Sequence, residues 1–250
     1  MTERLDKVLA SLGIGSRKEV RALIKQGRVR IDGEVALDPA RRLAAGTARI
    51  EVDGRALVPG TMTFMLNKPK GVVTATTDPV HRTVLDLFPA ALARRLFPAG
   101  RLDKDTEGLL ILTSDGDLCH RLISPRYGVE KEYLVHVDGV LSPSLVELFA
   151  KGVELKDGTV TLPARLEIEH PGPGGVARVT IVEGKYHQVK RMFGAMGLSV
   201  TALKRIRIGG LTLDLALEPG DYRELSRAEV DLLFQRPAGT QMPREDSPHG

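Results

Sequence analysis

Gly100-Arg101-Leu102-Asp103-Lys104-Asp105-Thr106-Glu107-Gly108-Leu109-Leu110-Ile111-Leu112-Thr113 joins three carboxylates to an unbroken apolar run. A run as short as Leu109 to Leu112, followed by Thr113-Ser114-Asp115-Gly116, predicts a buried strand closed by a turn. Asp103, Asp105 and Glu107 then stand in a glycine-bounded loop at the mouth of that strand. Carboxylates held there by a rigid scaffold and partly withdrawn from water suit nucleophilic or acid/base chemistry. Asp103-x-Asp105-x-Glu107-Gly108 also imitates the start of a calcium loop. That reading fails because the twelfth position is Ser114 instead of a bidentate Glu, and positions seven to ten are Leu109 to Leu112. Spacing alone leaves open a solvated turn whose Asp and Thr side chains only cap backbone amides.

The 250 residues around this stretch suffice for one large domain or two smaller ones, and 42% hydrophobic content supports a core. There is no Trp, and six Phe and four Tyr leave little material for wide aromatic stacking surfaces. Charge is unevenly spread. Residues 1–60 carry 12 Lys and Arg against 8 Asp and Glu, whereas the other 190 residues carry 24 against 24. A basic head on a neutral body suggests a polyanion-binding module joined to something else. Cys119 is the only cysteine, which excludes an internal disulfide framework and a Cys-based zinc site. Its neighbours Leu118 and His120 fit a core thiol on a helix better than a nucleophile. The six His are scattered, so no metal site is expected. Glu3, Arg4, Asp6 and Lys7 interrupt any signal-peptide core, and no apolar run approaches a membrane span. With the single thiol, these features lead to the expectation of a reduced, cytoplasmic setting.

Outward from the central loop, Leu5, Val8, Leu9 and Leu12 form one face of a helix broken by Gly13 and Gly15. Ser16-Arg17-Lys18-Glu19 is a capping-box pattern for a second helix with Val20, Leu23 and Ile24 on its apolar stripe and Gly27 at its end. Val29 and Ile31 alternate with Arg28 and Arg30 ahead of an Asp32-Gly33 hairpin turn, and Asp53-Gly54 makes a second such turn after Ile50 and Val52. Residues 59–63, with Pro59, Gly60 and Thr61, read as a linker between a domain at 1–58 and one at 64–235. Phe64 to Leu66 predicts a strand with Val72 to Thr74 as its partner, separated by the tight turn Asn67-Lys68-Pro69-Lys70-Gly71. Further strands are expected at 132–137, 160–162, 166–168, 176–182, 200–203, 205–208 and 211–213. Helices are expected at 120–123, after Ser142-Pro143, at 187–196 and after Ser226. Residues 236–250 read as a disordered tail. Many short strands with interspersed helices and no regular alternation argue for an α+β, mainly antiparallel sheet.

Arg101-Leu102-Asp103-x-x-Thr106-x-Gly108-Leu109-Leu110 resembles the catalytic motif of the RsuA- and RluA-type pseudouridine synthases, in which the Asp is the essential residue. Four other segments resemble the same family in the same order. They are Asn67-Lys68-Pro69-x-Gly71 with Asp78-Pro79-x-His81-x-Thr83-Val84, Lys131-Glu132-Tyr133-Leu134-Val135, Glu183-Gly184-Lys185-Tyr186-His187-Gln188-Val189-Lys190-Arg191-Met192-Phe193, and Arg205-Ile206-Arg207-Ile208-Gly209-Gly210-Leu211. The two helices and basic hairpin of residues 2–50 resemble the αL-type, S4-like RNA-binding domain, which precedes the synthase domain in RsuA-type enzymes. The resemblance implies an S4-like N-terminal domain followed by a catalytic domain whose mixed, mainly antiparallel sheet is split by a central cleft.

What the resemblance implies about function is the isomerisation of a specific uridine in ribosomal RNA. The glycosidic carbon–nitrogen bond breaks, the uracil turns, and it rejoins through carbon 5. A target inside folded RNA must first be flipped out, at a cost of a few kcal/mol of stacking. By resemblance Asp103 is the catalytic carboxylate, Tyr133 lies against the target base and Lys190 is the basic partner of Asp103. Arg101 is a candidate for stabilising the flipped state. An Asp titrates near ~4, burial pushes it towards the inert protonated form, and a neighbouring cation opposes that. Arg4, Lys7, Arg17, Lys18, Arg21 and Arg28 are the expected phosphate contacts of the basic head, and Lys68, His187, Gln188 and Arg191 those of the larger domain. No cofactor and no obligate protein partner are expected. The partner is ribosomal RNA, in an assembling small-subunit particle. The Lys190-Arg191-Met192-Phe193 run after His187-Gln188 is nearer to the small-subunit rRNA members than to their large-subunit relatives. The alternatives are the same reaction on large-subunit rRNA and a non-catalytic rRNA-binding or ribosome-assembly role.

Overall fold

The computed structural model describes residues 2–12, 14–44, 50–57 and 61–236. The expected disordered tail lies outside the described residues from 237 onward, and so do residues 58–60 of the expected linker region. The chain forms two compact units, one of Met1–Met62 with Pro89–Leu96, the other of Thr63–Phe88 with Phe97–Gly250.

In the first unit, strand β1 (Thr2–Arg4) runs into helix α1 (Leu5–Ser11), followed by α2 (Arg17–Lys25), β2 (Val29–Ile31), β3 (Glu34–Val35), β4 (Arg42–Ala44), β5 (Ile50–Val52) and β6 (Arg55–Leu57). A short helix, α3 (Ala90–Ala93), belongs to the same unit. The capping box forms as its residues predict: Ser16 Oγ accepts from the Glu19 amide and Glu19 accepts from the Ser16 amide. Leu5, Leu9, Val20 and Ile24 pack with Val29, Ile31, Ile50 and Val52 into one small core. Both Asp-Gly turns place two successive residues at positive φ, with Asp32 at 53° and Gly33 at 88°, and Asp53 at 51° and Gly54 at 73°. That is the twist two-residue hairpins need.

The second unit is built on a nine-stranded sheet. Its strands are β7 (Thr63–Lys68), β8 (Phe97–Pro98), β9 (Glu107–Thr113), β10 (Lys131–Asp138), β11 (Arg165–His170), β12 (Val176–Ile181), β13 (Ser199–Ile208), β14 (Leu211–Thr212) and β15 (Tyr222–Glu224). The main path runs β11-β12-β10-β13-β9-β7-β15, with β14 beside β13 and β8 beside β9. Helices α4 (Gly116–Ile123), α5 (Ser144–Lys151), α6 (Gln188–Ala195) and α7 (Arg227–Leu232) complete it. Leu109 to Leu112 are fully buried, as an apolar run in a central strand must be. On β10, Tyr133, Val135 and Val137 are buried on the shared face that their alternation predicts.

Every strand pair in this sheet is antiparallel except β9 with β13, where Glu107 and Gly108 pair with Lys204 and Arg205. The single parallel pair brings the loop ahead of β9 against the middle of β13. It requires Gly108: its φ is 101°, and a Cβ there would stand 2.3 Å from the Arg205 carbonyl oxygen.

Three strand expectations are corrected. Residues 72–74 do not pair with β7, whose two edges are taken by β9 and β15; Val73 makes only a bridge to Thr83. Residues 160–162 form no strand beyond the bridge from Val160 to Glu154. The segments 200–203 and 205–208 are one strand, because Lys204 continues the ladder opposite Leu134.

Candidate active site

The loop from Gly100 to Thr106 is held from three sides. Thr74 Oγ1 donates to the Leu102 carbonyl at 2.7 Å and accepts from the Leu102 amide at 3.2 Å. The Gly71 amide donates to the Lys104 carbonyl at 2.8 Å, and the Thr106 amide closes the turn onto the Asp103 carbonyl at 3.1 Å. Lys68 is fully buried, and its ammonium donates to the carbonyls of Pro69, Asp103 and Thr106 at 3.0, 3.0 and 2.9 Å. All three donors of the ammonium are therefore used. This corrects its expected role as an RNA contact: Lys68 is an internal strut of the loop. Burial lowers its pKa to about 8 against the pull of Asp105, Asp103 and Glu107.

The loop turns the Asp103 side chain, 27% exposed, towards the start of α6. Lys190 donates to Asp103 Oδ2 at 3.1 Å and to Asp105 Oδ1 at 2.5 Å, so one cation bridges two carboxylates. Burial works against the charge of Lys190, but the bonds to Asp105 and Asp103 outweigh it and raise its pKa. The bond from Lys190 is the main cause of a lowered Asp105 pKa. His187 Nε2 lies 3.4 Å from Asp103 Oδ1. His187 itself sits in the left-handed region at φ 49°, immediately before the helix.

Asp103 opens onto a cleft of about 1210 Å³, larger than the ~300–1,000 Å³ typical of small-molecule pockets. Arg101, Lys131, Tyr133, Tyr186, His187 and Arg205 are among the residues that line it. Tyr133 is 8% exposed and is both a core aromatic and part of the cleft wall. Arg205 donates to the Tyr133 hydroxyl at 3.4 Å and to the Leu109 carbonyl at 2.7 Å, and its guanidinium lies 5.9 Å from the Tyr133 ring centre. Lys131 donates to the Val129 carbonyl at 2.9 Å; burial and the nearby Arg205 charge lower its pKa to about 8.

The structure thus brings Asp103, His187, Tyr133 and Arg101 to one cleft, and Lys190, outside its lining, holds the Asp103 carboxylate at 3.1 Å. Gln188 is corrected as an RNA contact: it is buried, its amide nitrogen donates to Glu183 at 2.8 Å, and its oxygen accepts from the Lys185 amide at 2.9 Å, fixing the start of α6. Arg191 pairs with Asp157 on the surface. In the first unit Arg4 and Arg21 both bind the buried Asp6, at 3.0 and 2.8 Å. These bonds, Arg4 first, hold the Asp6 carboxyl well below the usual carboxylate range despite its burial. Lys7 pairs with Glu3 and Arg28 with Asp53, both partners exposed. Arg17 and Lys18 are exposed on α2. Asp105, Lys131 and Arg205 stand in the stretches quoted from the sequence but are assigned no individual role there. Asp105 is recognisable only once α6 is beside the loop, and Arg205 only once the register sets it opposite Tyr133.

The fold, together with the family that the sequence matches, places the chain in a class of RNA-modifying enzyme. The chain belongs to the RNA pseudouridylate synthase family, whose pattern matches residues 62–195, and it carries an S4 domain over residues 3–48. It is 47% identical to the uncharacterized RNA pseudouridine synthase YtzG of Bacillus subtilis over 233 residues, 92% of this chain and 98% of that protein. It is 46% identical to ribosomal small subunit pseudouridine synthase A of Escherichia coli K12 over 231 residues, 91% of this chain and 98% of that protein. A solved pseudouridylate synthase superposes with a TM-score of 0.66 at 38% identity, covering 92% of this chain and 99% of that one. The protein is an RNA pseudouridine synthase, an isomerase.

Proposed function

We propose that this protein converts one uridine of small-subunit ribosomal RNA to pseudouridine in the cytoplasm, with Asp103 as the catalytic carboxylate. The observation that carries the reading is the Asp103 carboxylate at the cleft with the Lys190 ammonium 3.1 Å from it. A cation at that distance makes a charge-assisted hydrogen bond that fixes the position of the carboxylate. Tyr133 is the aromatic wall for the uracil, and Arg101 stands at the cleft where a flipped nucleotide enters. The S4 domain, within an N-terminal domain of residues 1–58, supplies phosphate affinity through exposed residues such as Arg17 and Lys18. Residues 64–235 are the catalytic domain, joined by the linker 59–63. The small-subunit substrate is favoured by 46% identity over 91% of the chain to an enzyme named for that subunit. An assembling particle, whose RNA is still open, is the form in which the target is accessible to flipping. No obligate protein partner and no cofactor enter the scheme.

The test is tritium release from carbon-5-labelled small-subunit and large-subunit rRNA in parallel, with purified protein. Release from the small-subunit RNA alone is expected. Release from the large-subunit RNA alone transfers the activity to the other subunit. RNA binding without release from either favours the non-catalytic, ribosome-assembly role.

A further inference from the structure

Tyr186 is 77% exposed, the most exposed aromatic side chain among the described residues. Single exposed apolar side chains are common and carry no message alone. Three further observations set this one apart. Its ring stacks on the His187 imidazole, with centres 3.8 Å apart and planes 17° from parallel. The His187 imidazole lies 3.4 Å from the Asp103 carboxylate. Both rings belong to the wall of the cleft. The stack therefore starts at the carboxylate and ends in solvent. The left-handed backbone of His187, φ 49°, turns the chain between the Tyr186 segment and the start of α6.

The ring spacing is close to the ~3.4 Å between successive bases of one strand. With its high exposure, the outer face of Tyr186 continues that spacing outward as an aromatic shelf. No Trp exists in the chain to serve the same purpose. A flat apolar face beside a site that takes in a flipped nucleotide fits one chemical class of ligand, an unpaired base. Flipping deprives the neighbouring bases of a stacking partner, and aromatic side chains replace that partner regardless of base identity.

We infer that the Tyr186–His187 stack is a binding site for an unpaired RNA base, the one adjoining the uridine that enters the cleft. This rests on the reading of the cleft as the uridine site. Its position beside Asp103 makes it a platform for a neighbour of the target, while Tyr133, buried deeper in the wall, faces the target itself.

The experiment measures the Kd of full-length protein for a small-subunit rRNA transcript at several salt concentrations, with tritium release from the same RNA alongside. Tyr186→Ala is expected to raise Kd about tenfold, within the range for losing one stacked base. Its plot of log Kd against log salt keeps the wild-type slope, because an uncharged ring neutralises no phosphate. Tyr186→Phe keeps wild-type affinity, since the ring and not the hydroxyl binds. Once the modified uridine is mapped, an abasic residue on one side of it should cancel the Tyr186→Ala effect. A Kd for Tyr186→Ala within twofold of wild type overturns the inference. So does a changed salt slope, a Tyr186→Phe protein as weak as the Ala variant, or an effect that survives an abasic residue on either side. Absent tritium release from wild type would count against the small-subunit substrate of the proposed function, while the binding comparison still decides the stacking site.

Discussion

Asp103 shares its cation with a neighbour two residues away. Lys190 is closer to Asp105 than to Asp103, 2.5 against 3.1 Å, but Asp105 is 72% exposed and Asp103 27%. Solvent screens the exposed pair more strongly, so the bond to Asp103 is the less screened of the two. Asp103→Asn is predicted to abolish tritium release while leaving the RNA Kd within a few-fold of wild type, because a carboxylate neutralises no phosphate. Residual turnover in that variant would remove Asp103 from the catalytic role. Lys190→Met should lower kcat more than tenfold, since it removes the ammonium that holds the Asp103 carboxylate at 3.1 Å; a kcat within twofold of wild type would remove Lys190 from that role. The raised pKa of Lys190 makes its own contribution to stability complete below the ordinary lysine value of 10.5, and that contribution fades as pH rises through the still higher folded value. Roles for Asp103 and Lys190 came from the resemblance of their motifs, whereas Asp105 was assigned none, because the motif singles out the Asp at 103 and only the fold brings Asp105 to Lys190.

Strand β9 shows how an element positions a site. Its parallel pairing with β13 holds only because Gly108 lacks a Cβ. Gly108→Ala combines a collision with the Arg205 backbone and a positive φ, and is expected to destabilise the larger unit by roughly 2–4 kcal/mol in denaturant titration. Two lysines of the same sheet make stability depend on pH. Lys68 and Lys131 both titrate near pH 8 in the fold and near 10.5 when free. Between those values the unfolded chain binds more protons than the folded one, so stability rises with pH across that window. Lys131→Met should remove about half of that slope, and an unchanged slope would show that Lys131 keeps its proton in the fold. The buried run of β9, the capping boxes of α2 and α7 and the Asp-Gly turns were legible because they depend on neighbours in sequence. The pairing of β7 with β9 and β15 was misread because nothing local in Phe64 to Leu66 names a partner roughly 40 or 150 residues away.

For the molecule as a whole, the uneven charge of the sequence meets a division into two compact units, one of which contains the residues of the S4 match. Arg17→Ala combined with Lys18→Ala should weaken rRNA binding and flatten its salt dependence by up to roughly 0.7–0.9 for each phosphate no longer neutralised, with kcat unchanged. An unaltered slope would reduce these two residues to solvated surface. Several other basic residues of that unit are tied to Asp6, Glu3 and Asp53, which composition alone could not reveal. The amino-acid sequence by itself determined the two-part organisation and the family, and it singled out Asp103 and Lys190 as candidates, because motif spacing and local periodicity are carried along the chain. Only the tertiary structure decided that Lys68 is an internal strut, that Gln188 fixes a helix start, that Asp105 shares Lys190, and that Tyr186 stands stacked beside the carboxylate. Burial, strand register and hydrogen-bond partners arise between segments far apart in sequence, and they exist only once the strands have paired into the sheet.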